Sequence, residues 1–225
     1  MTSGEMLGSF FNQNGYSTAR MRQIWSDENR VKVVCQAEVA VAYAMAKNGR
    51  IPKRAYDEIS SKLVFDNIDL RQLKIESARA GHFLAGFVKV VQPLFDDESG
   101  QYVHFGAASE DIEDTAFVLQ LKQSDAVLKD YLRQLGDVLY QLCEKYKTTI
   151  TAAVAHKTFA APTTLGFKLG IVLNELDHLM TKLDSLGPFT FAGSLAGADG
   201  TSSMLGSDYR KIEHDFCEHL AVSYT

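Results

Sequence analysis

Three clusters of polar residues in this 225-residue chain fall where helices should begin or break, not on solvated helix faces. The first is His82, at a break in a helical pattern. The second, Tyr102-Val103-His104-Phe105-Gly106-Ala107-Ala108-Ser109-Glu110-Asp111, leads straight into the longest helical stretch. The third runs from His156 to Gly166, where one histidine sits in an otherwise apolar loop before another helix. Imidazole titrates near neutrality and suits proton transfer in a reaction. Free amides at a helix N-terminus hold a carboxylate or phosphate, and the Ser109 hydroxyl would add a contact there. Each cluster also has a plainer reading. Ser109 would simply cap the helix, Asp111 would match its dipole, and a lone histidine such as His156 is more often structural than catalytic. On the residues alone, the plainer reading of the Ser109 cluster is favoured.

The elements that must position these residues read as helices. The first ~20 residues are irregular, with Gly4, Gly8, Asn12, Asn14 and Gly15 interrupting Phe10, Phe11 and Tyr16. Ser26 caps a helix whose apolar residues Val31, Val34, Cys35, Val39, Ala42, Tyr43 and Ala46 recur at steps of three and four, and Asn48-Gly49 ends it. Pro52 opens a short helix through Ile59. Asp69 caps the next, with Gln72 completing a capping-box pattern. The pattern breaks at Gly81-His82, resumes through Phe87 and Val91, and gives way to a polar loop from Asp96 to Gln101.

Ser109 then caps an element running from about Asp111 to Tyr146, which at ~1.5 Å per residue spans roughly 50 Å. Its stripe of Ile112, Ala116, Leu119, Leu128, Leu132, Leu135, Val138, Leu139 and Leu142 must pack against partners of similar length, in this chain or in another copy. A nearly uncharged stretch covers Ile150 to Ala161. Pro162 opens a helix that Gly187-Pro188 breaks, and a final amphipathic helix covers about Ser207 to Val222. The fold class is all-α, with a small N-terminal helical domain over 1–105 and the first long helices of a bundle over 106–225.

Composition narrows the functions. Hydrophobic residues at 46% suffice for a core, and 23 basic against 28 acidic residues give a net charge of -5, which argues against nucleic acid as partner. No apolar run approaches a membrane span, and no basic-then-apolar leader opens the chain, so the expectation is a cytoplasmic protein with no membrane contact. Three scattered cysteines support neither a disulfide framework nor a zinc cluster. His214 and His219, five apart on the last helix, do not have convincing metal spacing, and no metal ligands are assigned.

Residues 102–121, YVHFGAASEDIEDTAFVLQL, resemble the first signature of the fumarase/aspartase superfamily, in the branch of adenylosuccinate lyase and 3-carboxy-cis,cis-muconate cycloisomerase, which reads YVHFGATSQD, a hydrophobic pair and DTA. Residues 155–169, AHKTFAAPTTLGFKL, are similar to its next signature, THGQxAxPTTFGxKL. Residues 193–201, GSLAGADGT, resemble its glycine-rich GxxGGAxGT, and residues 16–30, YSTARMRQIWSDENR, its opening segment. The resemblance implies a β-elimination that releases fumarate and needs no cofactor. It assigns Ser109 and the helix amides to a substrate carboxylate and His156 to protonation of the leaving group. His82 would assist His156 or contact a substrate phosphate, and Tyr16 would line that phosphate. His104, Asp111 and Thr158, at their motif positions, complete the implied substrate contacts. Having both His82 and His156 favours the adenylosuccinate branch.

The departures run in one direction. Ala108 stands for the usual threonine, Val154-Ala155 for Arg-Thr, Lys157-Thr158 for Gly-Gln, Phe83 for an aspartate and Gly15 for an arginine. Each lost charge-assisted hydrogen bond removes ~1.5–3 kcal/mol of binding to a dianion. Family members are also roughly twice this length, and the loop reading GSSxMPxKxNP, with the serine base, lies in the other half. Thr201-Ser202-Ser203-Met204 is followed by Leu205-Gly206, so it is not that loop. The expectations are a lyase that acts on a dicarboxylate or nucleotide and self-associates as the family tetramer does. The alternatives are a 3-carboxy-cis,cis-muconate cycloisomerase-like protein and a non-catalytic helical scaffold.

Overall fold

The computed structural model describes residues 13–224, so the irregular opening around Gly4, Gly8 and Phe10 lies outside the described residues. The chain forms two compact units. One takes the chain up to Gln123 together with residues from Pro188 onward, and the other is Ser124–Gly187.

The first unit is built around α3 (Asp27–Lys47), which follows the short helices α1 (Gln13–Tyr16) and α2 (Ala19–Ile24). Ser26 caps α3 by accepting from the Asn29 N–H at 3.2 Å. The helix is buried on more sides than its stripe predicts. Val33, Ala37, Glu38, Ala40, Val41, Ala44 and Met45 are buried along with Val31 and Val34, because neighbours surround this helix. Against it lie α4 (Lys53–Lys62), through Ala55 and Ile59, and α10 (Tyr209–His219), through Ile212, Phe216 and Cys217.

Helices α5 (Leu70–Ala80) and α6 (Phe83–Val91) form a tight hairpin. Asp69 caps α5 through the N–H groups of Arg71 and Gln72, but the Gln72 side chain donates forward to Glu76 at 3.1 Å, so the capping box is half formed. Gly81 adopts φ 64° and ends α5. Gly86 must lack a side chain, since a Cβ there would stand 2.4 Å from the Ser77 amide nitrogen. The polar stretch after α6 is not all loop: α7 (Asp97–Gly100) makes a turn of helix.

The long helix α8 (Ser109–Lys145) has 37 residues and runs from the first unit into the second. Ile112, Ala116 and Leu119 are buried in the first unit's core. In the second unit Val127 and Leu139 are buried, whereas Leu128, Leu135 and Val138 are exposed.

The second unit corrects the sequence reading most. Residues 150–161 do not form an apolar loop, and Pro162 does not open a helix. Strands β1 (Ile150–Ala155) and β2 (Thr158–Thr164) pair antiparallel, with Ala152 opposite Pro162 and Ala155 opposite Thr158. Proline is tolerated at the edge of so small a ribbon because an edge position needs no N–H for a further strand. Helix α9 (Leu165–Thr190) then runs past Gly187 with Pro188 inside it. Gly166 allows the α9 start to pass the end of α8, since a Cβ there would lie 2.5 Å from the Cys143 carbonyl oxygen. Beyond α9, β3 (Ala192–Gly193) pairs parallel with β4 (Ser223–Tyr224) in the first unit. The described residues are mostly helical, with two small two-stranded sheets. No helix among the described residues is long and apolar enough to cross a membrane.

Candidate active site

The start of α8 is organised by one buried carboxylate. Asp111, only 5% exposed, accepts three backbone N–H groups: Ala108 at 2.8 Å and Gly197 at 2.9 Å on Oδ2, and Ala196 at 2.9 Å on Oδ1. Ser109 is therefore not the cap. It is the first helical residue, and Asp111 reaches back over the turn to the Ala108 amide. The same carboxylate draws in the glycine-rich segment, which a second tie from the Ser194 amide to the Thr115 hydroxyl, 3.4 Å, holds one turn further on. Positive φ at Gly197 and Gly200 gives the segment its tight path. The first signature and the glycine-rich segment thus meet in space. Ser109 is half-buried at that junction.

His104 lies in the loop before α8 with φ 61°, a left-handed conformation uncommon among residues other than glycine. Its main-chain N–H donates to Glu38 Oε2 at 3.1 Å, and its Nδ1 lies 2.8 Å from Glu38 Oε1. Burial works against charge on this imidazole. The Glu38 hydrogen bond and the charges of Glu38 and Asp111 outweigh it and raise the His104 pKa above the ordinary histidine value. The residue reading missed Glu38, which is 2% exposed in the middle of α3. Its signal was a lone glutamate inside the apolar run Ala37 to Ala42, a position no charge occupies without a partner.

His82 caps α6, its Nδ1 accepting the Ala85 N–H at 3.4 Å, which leaves Nε2 for other contacts. Its turn is braced by Glu76, buried on α5, which takes Arg79 at 2.6 Å and Lys89 of α6 at 2.5 Å. Tyr16 ends α1 and is 84% exposed.

His156 and Thr158 belong to the second unit. His156 and Lys157, at φ 48° and 66°, are the central residues of the β1–β2 turn, in the geometry of a type I′ hairpin. Thr158 steadies the turn by donating its hydroxyl to the Ala155 carbonyl at 2.9 Å. His82, His104, Ser109 and Asp111 thus share one unit, while His156 and Thr158 lie at a hairpin tip in the other.

Other reactive groups serve the scaffold. Burial, aided by Glu38, pushes the Cys35 thiol up to about 12; burial, aided by Glu213, does the same to Cys217. Neither is a nucleophile at neutral pH. His214, Asp215 and Glu218 bring donor atoms within 4.8 Å of one another. Lys47 already supplies the positive charge there, 2.8 Å from Asp215 and 3.6 Å from Glu218, and Asn48 donates to Asp215 at 2.7 Å. An open cleft of about 690 Å³ beside Lys32, Gln36, Leu63 and His219 is lined by none of the candidate site residues His82, His104, Ser109, Asp111, His156 and Thr158. Among the described residues, the start of α8 is where the first signature and the glycine-rich segment come together.

A mostly helical chain whose signature loop, long-helix start and glycine-rich segment converge on one carboxylate is built as a fumarase/aspartase-type protein. The chain belongs to the lyase family of that superfamily, whose model matches residues 13–225. It is 30% identical over 220 residues to an adenylosuccinate lyase of Methanocaldococcus jannaschii, covering 98% of this chain and 48% of that protein. It is 31% identical to an N-acetyl-S-(2-succino)cysteine lyase of Dickeya dadantii, covering 93% of this chain and 46% of that one. The crystal structure of a β-carboxy-cis,cis-muconate cycloisomerase from Acinetobacter calcoaceticus superposes with a TM-score of 0.88 at 25% identity, over 96% of this chain and 51% of the other. The chain spans about half the length of the relatives it matches.

Proposed function

We propose that this chain carries the carboxylate-binding part of a lyase that releases fumarate from a succinylated amine, adenylosuccinate being the favoured substrate. The observation that supports this reading most is the Asp111 junction, which ties the Ala108 amide and the first turn of α8 to the glycine-rich segment at Ala196 and Gly197. In the elimination, the C–H bond next to a substrate carboxylate breaks, its electrons form the fumarate double bond, and the C–N bond breaks with them. Ser109 and the α8 amides would bind that carboxylate. His156 would deliver a proton to the departing nitrogen, with His82 assisting or contacting the substrate phosphate together with Tyr16. Thr158 would contact substrate beside His156. The base would come from the family's serine loop, outside these residues. The exposed Leu128, Leu135 and Val138 of α8 and Ile171, Val172 and Leu179 of α9 offer an apolar face for self-association into a family-type tetramer, in a cytoplasmic protein.

The departures from the family motif favour a second reading, a non-catalytic scaffold that keeps the fold. The test is to follow ultraviolet absorbance on mixing the protein with adenylosuccinate, with His156→Ala alongside, and to measure fumarate and AMP binding by calorimetry. The first reading expects binding without turnover by these residues alone. Turnover that disappears in His156→Ala would put a base within the chain. Neither binding nor turnover, with helicity intact, would leave the scaffold.

A further inference from the structure

We propose that Glu38 is the positioning residue for His104, gripping it through two hydrogen bonds so that Nε2 is the nitrogen presented to a substrate carboxylate. The inference rests on the lyase reading for its ligand, but on geometry for the grip. A carboxylate 2% exposed in the central helix of a core is costly to keep ionised unless both oxygens find donors. Glu38 gives both to one residue, 66 positions away: Oε2 takes the main-chain N–H and Oε1 faces Nδ1.

A purely structural tie would need only the first of these bonds, which any residue at position 104 with a main-chain N–H could make. The second fixes what a backbone tie leaves open, namely the plane of the ring and its tautomer. Because a carboxylate only accepts, Nδ1 carries the proton, and Nε2 has no hydrogen-bond partner among the described residues. The φ of 61° at His104 is the backbone side of the same arrangement, since it brings amide and ring to one carboxylate.

The ionisable groups facing the imidazole are Glu38 from α3 and Asp111 from α8, both acidic, and together they favour its charged form over the burial that opposes it. Asp111 already accepts three amides, so it does not compete for Nε2. A protonated Nε2–H beside the amino end of α8 is a donor suited to a carboxylate. His104 would touch substrate, and Glu38 would act through it.

The experiment is histidine nitrogen NMR of the whole 225-residue protein across pH, with the His104 signal assigned by its loss in His104→Gln, and fumarate binding measured in parallel. The expected result is an Nδ1–H tautomer in the neutral form and a titration above the ordinary histidine range. Fumarate binding should weaken as pH rises through that titration. In Glu38→Gln the titration should move down and fumarate binding at neutral pH should weaken about tenfold or more, as loss of a charge-assisted hydrogen bond predicts. Glu38→Asp should recover part of both. A neutral Nε2–H tautomer, a titration that Glu38→Gln leaves in place, or fumarate binding unaffected by His104→Gln would each overturn the proposal. If Glu38→Gln does not fold, the tautomer of the unsubstituted protein still decides it. If that tautomer is as expected but fumarate does not bind, the lyase reading fails and the Glu38 grip on His104 stands.

Discussion

The Gly197 amide donates to Asp111 Oδ2 at 2.9 Å across 86 residues of sequence, and the Ala108 amide donates to the same oxygen at 2.8 Å. One carboxylate oxygen therefore joins the loop before α8 to the glycine-rich segment, and Oδ1 adds Ala196. Asp111→Ala would leave three backbone N–H groups without their acceptor, that of Ala108 buried and those of Ala196 and Gly197 partly so. It should cost about 2–4 kcal/mol, read as a lower urea midpoint at unchanged slope. Asp111→Asn should cost a similar amount, because its amide would turn a donor toward other donors. A loss under about 0.5 kcal/mol in both, the range of an ordinary surface change, would mean that the junction does not depend on this residue.

The His104–Glu38 contact makes stability depend on pH in a definite direction. The folded pKa of His104 is raised above its ordinary value of 6.5. Its contribution is therefore full below about 6.5, where the unfolded chain is also protonated, and is lost as pH rises through the folded value. Thermal melts taken upward from pH 6 should show this loss in the native protein and a flatter dependence in Glu38→Gln. The same slope in both would place its origin in another group.

Two glycines make opposite predictions. At Gly86 a Cβ would meet Ser77 backbone atoms at 2.4 and 2.6 Å, so Gly86→Ala must spread the α5–α6 hairpin and should cost about 1–3 kcal/mol. At Gly136, within α8, the nearest atom would be Leu176 Cδ2 at an ordinary 3.6 Å. Gly136→Ala should stabilise by about 0.5–1 kcal/mol through helix propensity. Calorimetric melting of the two variants checks the pair of signs.

Thiol labelling should sort the cysteines by environment. With Cys35 and Cys217 buried and held to about 12, Cys143 should react first with an aromatic disulfide reagent at pH 8, the other two only on unfolding. Prompt labelling of all three in the native state would contradict the described core.

What could be read from the sequence was what is decided locally. Ser26, Asp69 and the Gly81-His82 break act within four residues of themselves, so their signals survive without tertiary information. The β1–β2 hairpin was illegible because its strands do not alternate and its turn lacks the usual Asn-Gly, leaving a run that looks like apolar loop. Pro162, a good first residue for a helix, was drawn into a strand by pairing with residues ten positions back. The motif residues of the candidate site could be listed, but their organisers could not. Asp111 looked like a dipole match because its amide donors from Ala196 and Gly197 come from the far end of the chain, and Glu38 was hidden in an apolar helix with its partner 66 residues on.

The turn at His156 and Lys157 sets two aims against each other. Both residues sit at positive φ, where an Asn-Gly pair would rest with less strain. A screen that rewards heat resistance alone would therefore drive position 156 away from histidine and enrich variants that have discarded the proposed acid. Engineers who want a sturdier version of this protein should leave the hairpin tip untouched and seek their gains along the helices.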